Sequence, residues 1–376
     1  MVPALVTAVT ARGRGGREDG NVLELAPLID RPEATGRVKK SKDEWTRRPL
    51  DRSQRIRYAI QAGFLLLNLA LGAQFVWFVR ALEQGGTSPV ERPPGVEGWL
   101  PIAGLMNARY LVLTGEWPTV HPAAAVLLLT FVGLSVVFRR SFCSWICPVG
   151  TLSEWLWKAG RSIFRRNWAL PKWLDLPLRG LKYLLLAFFL WAIGGMTAAS
   201  IGDFLQSPYG LIADVKMLNF FRYLSATGAG VIAVLAIGSV FVKNFWCRYL
   251  CPYGALMGLA SLFSPARIRR TPEACIDCAK CAKVCPSNLP VDRLIQIRSA
   301  ECLGCLECVA ICPAEGALHL TVARRPWPLR KVAWGVVGIF VLAVGLAKWT
   351  GHWHSAIPDA TYRRLIPMAD ELDHPR

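Results

Sequence analysis

Eight cysteines fall in two runs of one pattern, Cys275-x2-Cys278-x2-Cys281-x3-Cys285-Pro286 and Cys302-x2-Cys305-x2-Cys308-x3-Cys312-Pro313. Thiolates at these gaps are the ligation pattern of two 4Fe-4S cubanes. Three sulfurs on one tight loop reach three irons, and the displaced fourth reaches the neighbouring cluster. The expected assignment is therefore crossed: Cys275, Cys278, Cys281 and Cys312 on one cluster, Cys302, Cys305, Cys308 and Cys285 on the other. Structural zinc fits poorly, since such sites pair two cysteines with two more ligands at a distance. A disulfide framework suits a short secreted chain rather than one of 376 residues.

Four further cysteines form two Cys-x3-Cys-Pro motifs, Cys143/Cys147/Pro148 and Cys247/Cys251/Pro252. They lie in step within FRRSFCSWICPVGTL and VKNFWCRYLCPYGAL. If each helix continues through its second Cys, residues i and i+4 share a face and the Pro ends the helix. Related by a pseudo-twofold, the four thiols are expected to converge. That would suit one tetrahedral metal or a third cluster; two redox-active dithiols are the other chemistry open to them. Free Cys also packs as a small apolar residue, a reading that the repeated Pro counts against.

The elements that must position these cysteines are apolar helices. The chain is 53% hydrophobic with 15 Trp, and five stretches approach the roughly 20 apolar residues that a bilayer span needs. They cover 58–79, 121–138, 181–199, 226–242 and 331–349. The expected fold is mostly α, a polytopic membrane protein of about five transmembrane helices, two tandem pairs plus one, with an inserted α+β double-cluster module. Residues 1–54 read as a disordered basic cytoplasmic tail and 55–265 as a four-helix membrane domain. Residues 266–325 read as the module, 326–350 as the fifth helix and 351–376 as an extracytoplasmic tail. The loops GWLPIAGLMN and SPYGLIADVK read as re-entrant half-helices. After Cys147, the placing of Trp155, Ala159 and Ile163 on one face predicts an amphipathic helix in the membrane interface.

A net charge of +18 would suit a nucleic acid, but the basic residues track topology instead. They gather before the first span, between the second and third, and between the fourth and fifth. By the positive-inside rule the N-terminus and the cysteine-rich segment face the cytoplasm and the C-terminus lies outside. The expected partner is the lipid bilayer, as in a multi-pass protein of a bacterial inner membrane, and no nucleic acid. Of five histidines none lies mid-span, which excludes bis-His ligation of stacked b haems. His121 reads as a headgroup-region histidine or a quinone hydrogen-bonding group. His352 and His354 read as part of an interfacial anchor with Trp349 and Trp353, or as a weak metal-binding pair. Lys280, Lys283, Arg293 and Arg298 would raise cluster potentials, dock an acidic donor, or simply form a solvated basic face.

Two Cys-x3-Cys-Pro motifs at helix ends, a double-cluster ferredoxin module and one more helix resemble the NapH/NosR/CcoG group of membrane polyferredoxins. The resemblance covers roughly residues 55–350, includes the loop RPPGVEGWLPIAGLMN and the pair His121-Pro122, and is closest to the NapH-like branch. The stretch before the first span is too short for a NosR-type flavin domain, and the tail after the fifth is shorter than a CcoG-type outer domain. The resemblance implies a carrier of electrons between the quinol pool and a redox partner, a respiratory reductase or dehydrogenase, and hence a quinol-linked oxidoreductase subunit. Every recognised cofactor site lies at one face of a bilayer whose apolar core is about 30 Å thick, so a quinone or a partner subunit must carry electrons between leaflets. Two readings of other classes stand beside this one. The four membrane-edge thiols would serve a copper reductase or an assembly factor for a respiratory metalloenzyme, and the clusters would serve a redox-sensing regulator.

Overall fold

The computed structural model describes residues 46–48, 51, 53–323 and 325–372. Most of the expected N-terminal tail, and His374, lie outside the described residues. Helix α1 (Gln54–Glu83) is followed by α2 (Pro101–Thr114), α3 (Pro122–Phe138), the short α4 (Ser141–Trp145), α5 (Pro148–Phe164) and α6 (Lys172–Gly194). Then come α7 (Ala198–Gln206), α8 (Pro208–Leu211), α9 (Ala213–Arg222), α10 (Ala226–Phe241), α11 (Phe245–Tyr249) and α12 (Pro252–Ala260). The cysteine-rich module contributes β1 (Ala266–Arg270), α13 (Lys280–Val284), β2 (Gln296–Ile297), α14 (Glu307–Ala310), β3 (Leu318–Val322) and β4 (Arg325–Pro326). Helices α15 (Leu329–Trp349) and α16 (Asp359–Leu365) follow.

Three of these helices, α1, α6 and α15, are long and apolar enough to cross a membrane; α9 and α10 qualify only together, bent by 82° at their break. The count is three, or four with the bent pair, where the sequence reading expects five. Helix α3 has 17 residues, roughly 26 Å at about 1.5 Å per residue, at the lower limit of what a span needs. Most of α3 is buried by its neighbours. Helix α6 starts nearer the N-terminus than the apolar stretch at 181–199, and its first turns carry Asp175, Arg179 and Lys182. That polar portion packs against the thiol-bearing turns and the module.

The core runs unbroken from α3 into the module. Phe131 of α3 stacks on Phe142 of α4 with ring centroids 3.8 Å apart, and Tyr253 of α12 stands edge-on to both. Leu134 and Phe138 continue this core toward Ile268, Val291 and Ile297 beneath the cysteine loops. The module's sheet is antiparallel with strand order β2-β1-β3-β4. Ala266 pairs with Val322, Arg270 with Leu318, and Ile268 with Ile297. Alternation along β1 turns Ala266 and Ile268 into the core.

One part of the expected disordered tail is ordered by the module. Arg48 N donates to Pro313 O at 2.8 Å, Glu315 N donates to Thr46 O at 3.0 Å, and the Arg48 guanidinium donates to Val309 O at 2.8 Å. The chain just past Cys312 leaves backbone groups open, and residues 46–48 satisfy them.

Candidate iron-sulfur centre

The two Cys-x3-Cys-Pro turns share one local design. Helix α3 stops at Phe138 because Arg139 takes a positive φ of 61°. Helix α4 then carries Cys143, and Cys147 is the N-cap of α5 with Pro148 in its first turn. In the second repeat Asn244, with φ 52°, breaks the chain; α11 carries Cys247, and Cys251 is the N-cap of α12. The Cys251 sulfur accepts from Gly254 N at 3.2 Å. This corrects the expectation of a helix continuing through the second Cys to a terminal Pro. The proline begins the next helix, where its missing N–H would have had no partner anyway. Gly150 lets the first turn close, since a Cβ there would meet Cys143 O at 2.1 Å.

The turns bring four thiols into one electrostatic neighbourhood. Burial pushes the Cys147 thiol up to about 12, with Cys143 and Cys251 acting in the same direction. Burial also raises Cys247, which feels Cys251, Cys147 and Cys143. Arg140 opposes the rise at Cys247 and Cys251. This guanidinium is 1% exposed, a built-in positive charge beside four potential anions. Buried thiols of this kind become ligands by losing protons to a metal.

The other eight cysteines fall into two groups by their electrostatic neighbours. Cys312 interacts with Cys278 and Cys275, and Cys281 with Cys312 and Cys275. Cys285 interacts with Cys302, Cys305 with Cys285, and Cys308 with Cys305, Cys285 and Cys302 and least with Cys281 of the first group. Cys285, Cys302, Cys305 and Cys308 are buried, whereas Cys275, Cys278, Cys281 and Cys312 are half-buried. The buried four line a single cavity with Ile268, Leu289, Val291 and Ile297. Among the described residues no three His, Cys, Asp or Glu side chains close around a single ion. A cubane spreads its thiolates around a body wider than one ion, so a cavity walled by four sulfurs and aliphatic carbons is the fit it requires.

The thiol-bearing turn and the loop of the second cysteine run are in direct contact. Ser144 Oγ donates to Leu303 O at 2.7 Å and Trp145 Nε1 donates to Gly304 O at 3.2 Å. Gly304 has a positive φ of 62° and approaches so closely that a Cβ would lie 3.0 Å from Phe138 O. A narrow gap between the two is lined by Arg140, Cys247, Pro286, Ser287, Glu301 and Leu303. The buried cysteine group therefore adjoins the thiol turns, and the half-buried group lies nearer the surface.

Ion pairs that sequence reasoning missed hold this junction. Arg57 of α1 pairs with Glu154 at 2.6 Å and Glu307 at 2.7 Å, and Lys182 of α6 pairs with Glu301 at 2.6 Å. Burial alone would raise the Glu301 carboxyl, but Lys182 and Arg140 hold it at about 2. The available signal was Arg57 and Lys182 themselves, cations at the ends of apolar segments, where an ionisable side chain needs a partner.

The histidines go elsewhere. His121 is fully buried at the start of α3. Its Nε2 donates to Gly210 O at 2.9 Å, and its Nδ1 faces Glu97 Oε1 at 3.4 Å and Arg92 Nη2 at 3.3 Å. Both ring nitrogens are thus engaged inside the protein. His352 stands edge-on to Trp117, with Nδ1 2.9 Å from Thr350 Oγ1, while His354 lines a different cavity with Arg92 and Tyr362.

Comparison with known proteins bears on the iron-sulfur reading. Residues 120–171 and 226–271, which contain the two thiol turns, match a family described as a 4Fe-4S binding domain, and residues 267–313 match a 4Fe-4S dicluster domain. The putative electron transport protein YccM of Escherichia coli is 46% identical over 327 residues, 85% of this chain and 91% of that protein. The chain belongs to the NapH-like membrane polyferredoxins. The polyferredoxin is also similar to the ferredoxin-type protein NapH of Escherichia coli, 28% identical over 44% of this chain and 55% of NapH. To protein NirI of Paracoccus denitrificans it is 30% identical over 51% of this chain and 28% of NirI. No solved structure matches the polyferredoxin.

Proposed function

We propose that this polyferredoxin is a membrane iron-sulfur electron-transfer subunit linking the quinol pool to a protein redox partner, with its N-terminus and cysteine module on the cytoplasmic face. The observation that carries the reading is the direct contact of the first thiol turn with the loop of the buried cysteine group, through Ser144–Leu303 and Trp145–Gly304. Cys285, Cys302, Cys305 and Cys308 would hold one 4Fe-4S cluster and Cys275, Cys278, Cys281 and Cys312 the other. Bound clusters supply one-electron chemistry.

The chain's own residues prepare that chemistry. Ile268, Leu289, Val291 and Ile297 keep water from the buried group. Arg140 and Lys182 place positive charge between that group and the four thiols, which favours a negatively charged thiolate centre. Cys143, Cys147, Cys247 and Cys251 form an all-sulfur donor set, spread too widely for a single ion and suited to a third cluster. The match of both turns to a 4Fe-4S family supports that cluster. Lys280, Lys283, Arg293 and Arg298 give the module a basic surface suited to an acidic partner.

The test is iron and acid-labile sulfide per chain on protein purified anaerobically in mild detergent, followed by electron paramagnetic resonance during titration with a quinol analogue. About 8 iron with two interacting signals supports the module assignment alone, and about 12 adds a centre at the four thiols. Zinc without sulfide, or clusters that no quinol reduces, would overturn the reading.

A further inference from the structure

We propose that the cleft between the ends of α5 and α10 and the cysteine module binds the phosphate of an anionic phospholipid. The proposal depends on the protein being membrane-bound and not on its electron-transfer role. The segment after α5 is pinned to the end of α10. Trp168 N donates to Phe241 O at 2.9 Å, and the rings of Phe164 and Trp168 both pack on Phe241 with centroids 5.2 Å away. Gly160 lies so close to α10 that a Cβ would sit 2.1 Å from Val240 O. The cleft is therefore a fixed part of the fold.

Beside this aromatic wall lies a cavity of about 300 Å³ whose lining includes Arg161, Arg165, Arg166, Lys243 and Lys283, together with Asn167 and Asn288 and no carboxylate. Several cations elsewhere are matched by acids: Arg57, Arg92, Lys182, Arg222 and Arg248 each meet an acidic side chain. Lys243 is 8% exposed, donates its Nζ to the carbonyls of Lys283 and Cys285 and stands 5.5 Å from the centre of the Trp157 ring, without a carboxylate at ion-pair distance among the described residues. Five cations crowded around one cavity repel one another, and a bound anion relieves that repulsion.

The surroundings identify the source of the anion. From the cavity the surface continues into exposed apolar side chains, Ile163 and Phe164 on α5 and Val234 and Ile237 on α10. A headgroup phosphate in the cavity would let acyl chains lie along α10, whereas a free phosphate makes no use of that apolar surface. Basic pockets between membrane helices are suited to anionic headgroups on this ground.

The experiment titrates the full-length protein in neutral detergent with phosphatidylglycerol or phosphatidylcholine and counts retained lipid by native mass spectrometry. Wild type should retain phosphatidylglycerol selectively. The double variant Arg165→Gln/Arg166→Gln should bind it roughly thirtyfold more weakly, while Arg330→Gln/Lys331→Gln, which removes two cations from the start of α15, should bind as wild type does. Trp168→Ala should weaken lipid but not inorganic phosphate. Equal losses in the two double variants would show diffuse surface attraction and overturn the site. Competition by inorganic phosphate at the same concentration as lipid would assign a free-anion site instead. Capture of an acidic flavodoxin, lost in Arg165→Gln/Arg166→Gln without any change in lipid binding, would make the cleft a protein-docking surface.

Discussion

Arg57 Nη2, in the first turn of α1, lies 2.7 Å from Glu307 Oε1, one residue before Cys308. A membrane helix is thereby tied to the ligand loop of the buried cysteine group. The same guanidinium is fully buried and also bonds Glu154, so its removal leaves two buried carboxylates to share the single cation Lys158. Arg57→Ala should cost about 3–5 kcal/mol, seen as a lower thermal midpoint in detergent with early loss of visible iron-sulfur absorbance. A melt unchanged from wild type would show that the junction does not depend on this pair.

The pH dependence of the junction follows from Glu154. Burial would raise its carboxyl, but Arg57 and Lys158 outweigh that and hold it at about 2, down from 4.5. A folded-state value below the unfolded one means that the stabilisation is complete above about pH 4.5 and is lost as pH falls toward 2. Melting midpoints measured across that window should decline more steeply for wild type than for Glu154→Gln. Comparing the two proteins cancels the acid loss of sulfide common to both, and parallel curves would refute the assignment.

Crossed ligation makes a prediction about double variants. Cys285→Ser added to Cys302→Ser should remove no more iron than Cys302→Ser alone, because both residues serve one cluster. Cys285→Ser combined with Cys275→Ser should remove about 8 iron per chain rather than about 4. Iron analysis with electron paramagnetic resonance reads both outcomes, and the reverse pattern of additivity would mean that each run holds its own cluster.

Gly150 tests the geometry of the thiol turn. Gly150→Ala forces a methyl group against Cys143 O and should cost about 1–3 kcal/mol, lowering metal content at the four membrane-edge thiols. Gly133, in the middle of α3, has open space where an added methyl group would stand, with nothing within 4 Å, so Gly133→Ala should be neutral or slightly stabilising. Metal content equal in the two variants would mean that the close approach at Gly150 does not shape the site.

The twelve cysteines and the five helical segments that position them were legible because each rests on local spacing. A three-residue gap between thiols, or an unbroken apolar run, is a statement about neighbours along the chain. The proline of the thiol turns was read in the wrong role for the same reason. Pro148 and Pro252 suit either the end of one helix or the start of the next, and the choice is made by the reversals at Arg139 and Asn244. The number of spans is left at three or four by helix length and composition, because apolar composition does not separate a helix facing lipid from one such as α3 that is buried by protein.

Soft sulfur donors in duplicated patterns beside apolar helices are legible in the chain alone, since ligand type and short-range spacing are local properties. How those donors meet and how their charge is balanced depends on the folded arrangement. Arg57 and Glu307 are 250 residues apart and Lys182 and Glu301 are 119 apart. No local pattern encodes such partners. They are selected because a charge enclosed by packed helices must find its opposite wherever the fold has placed it.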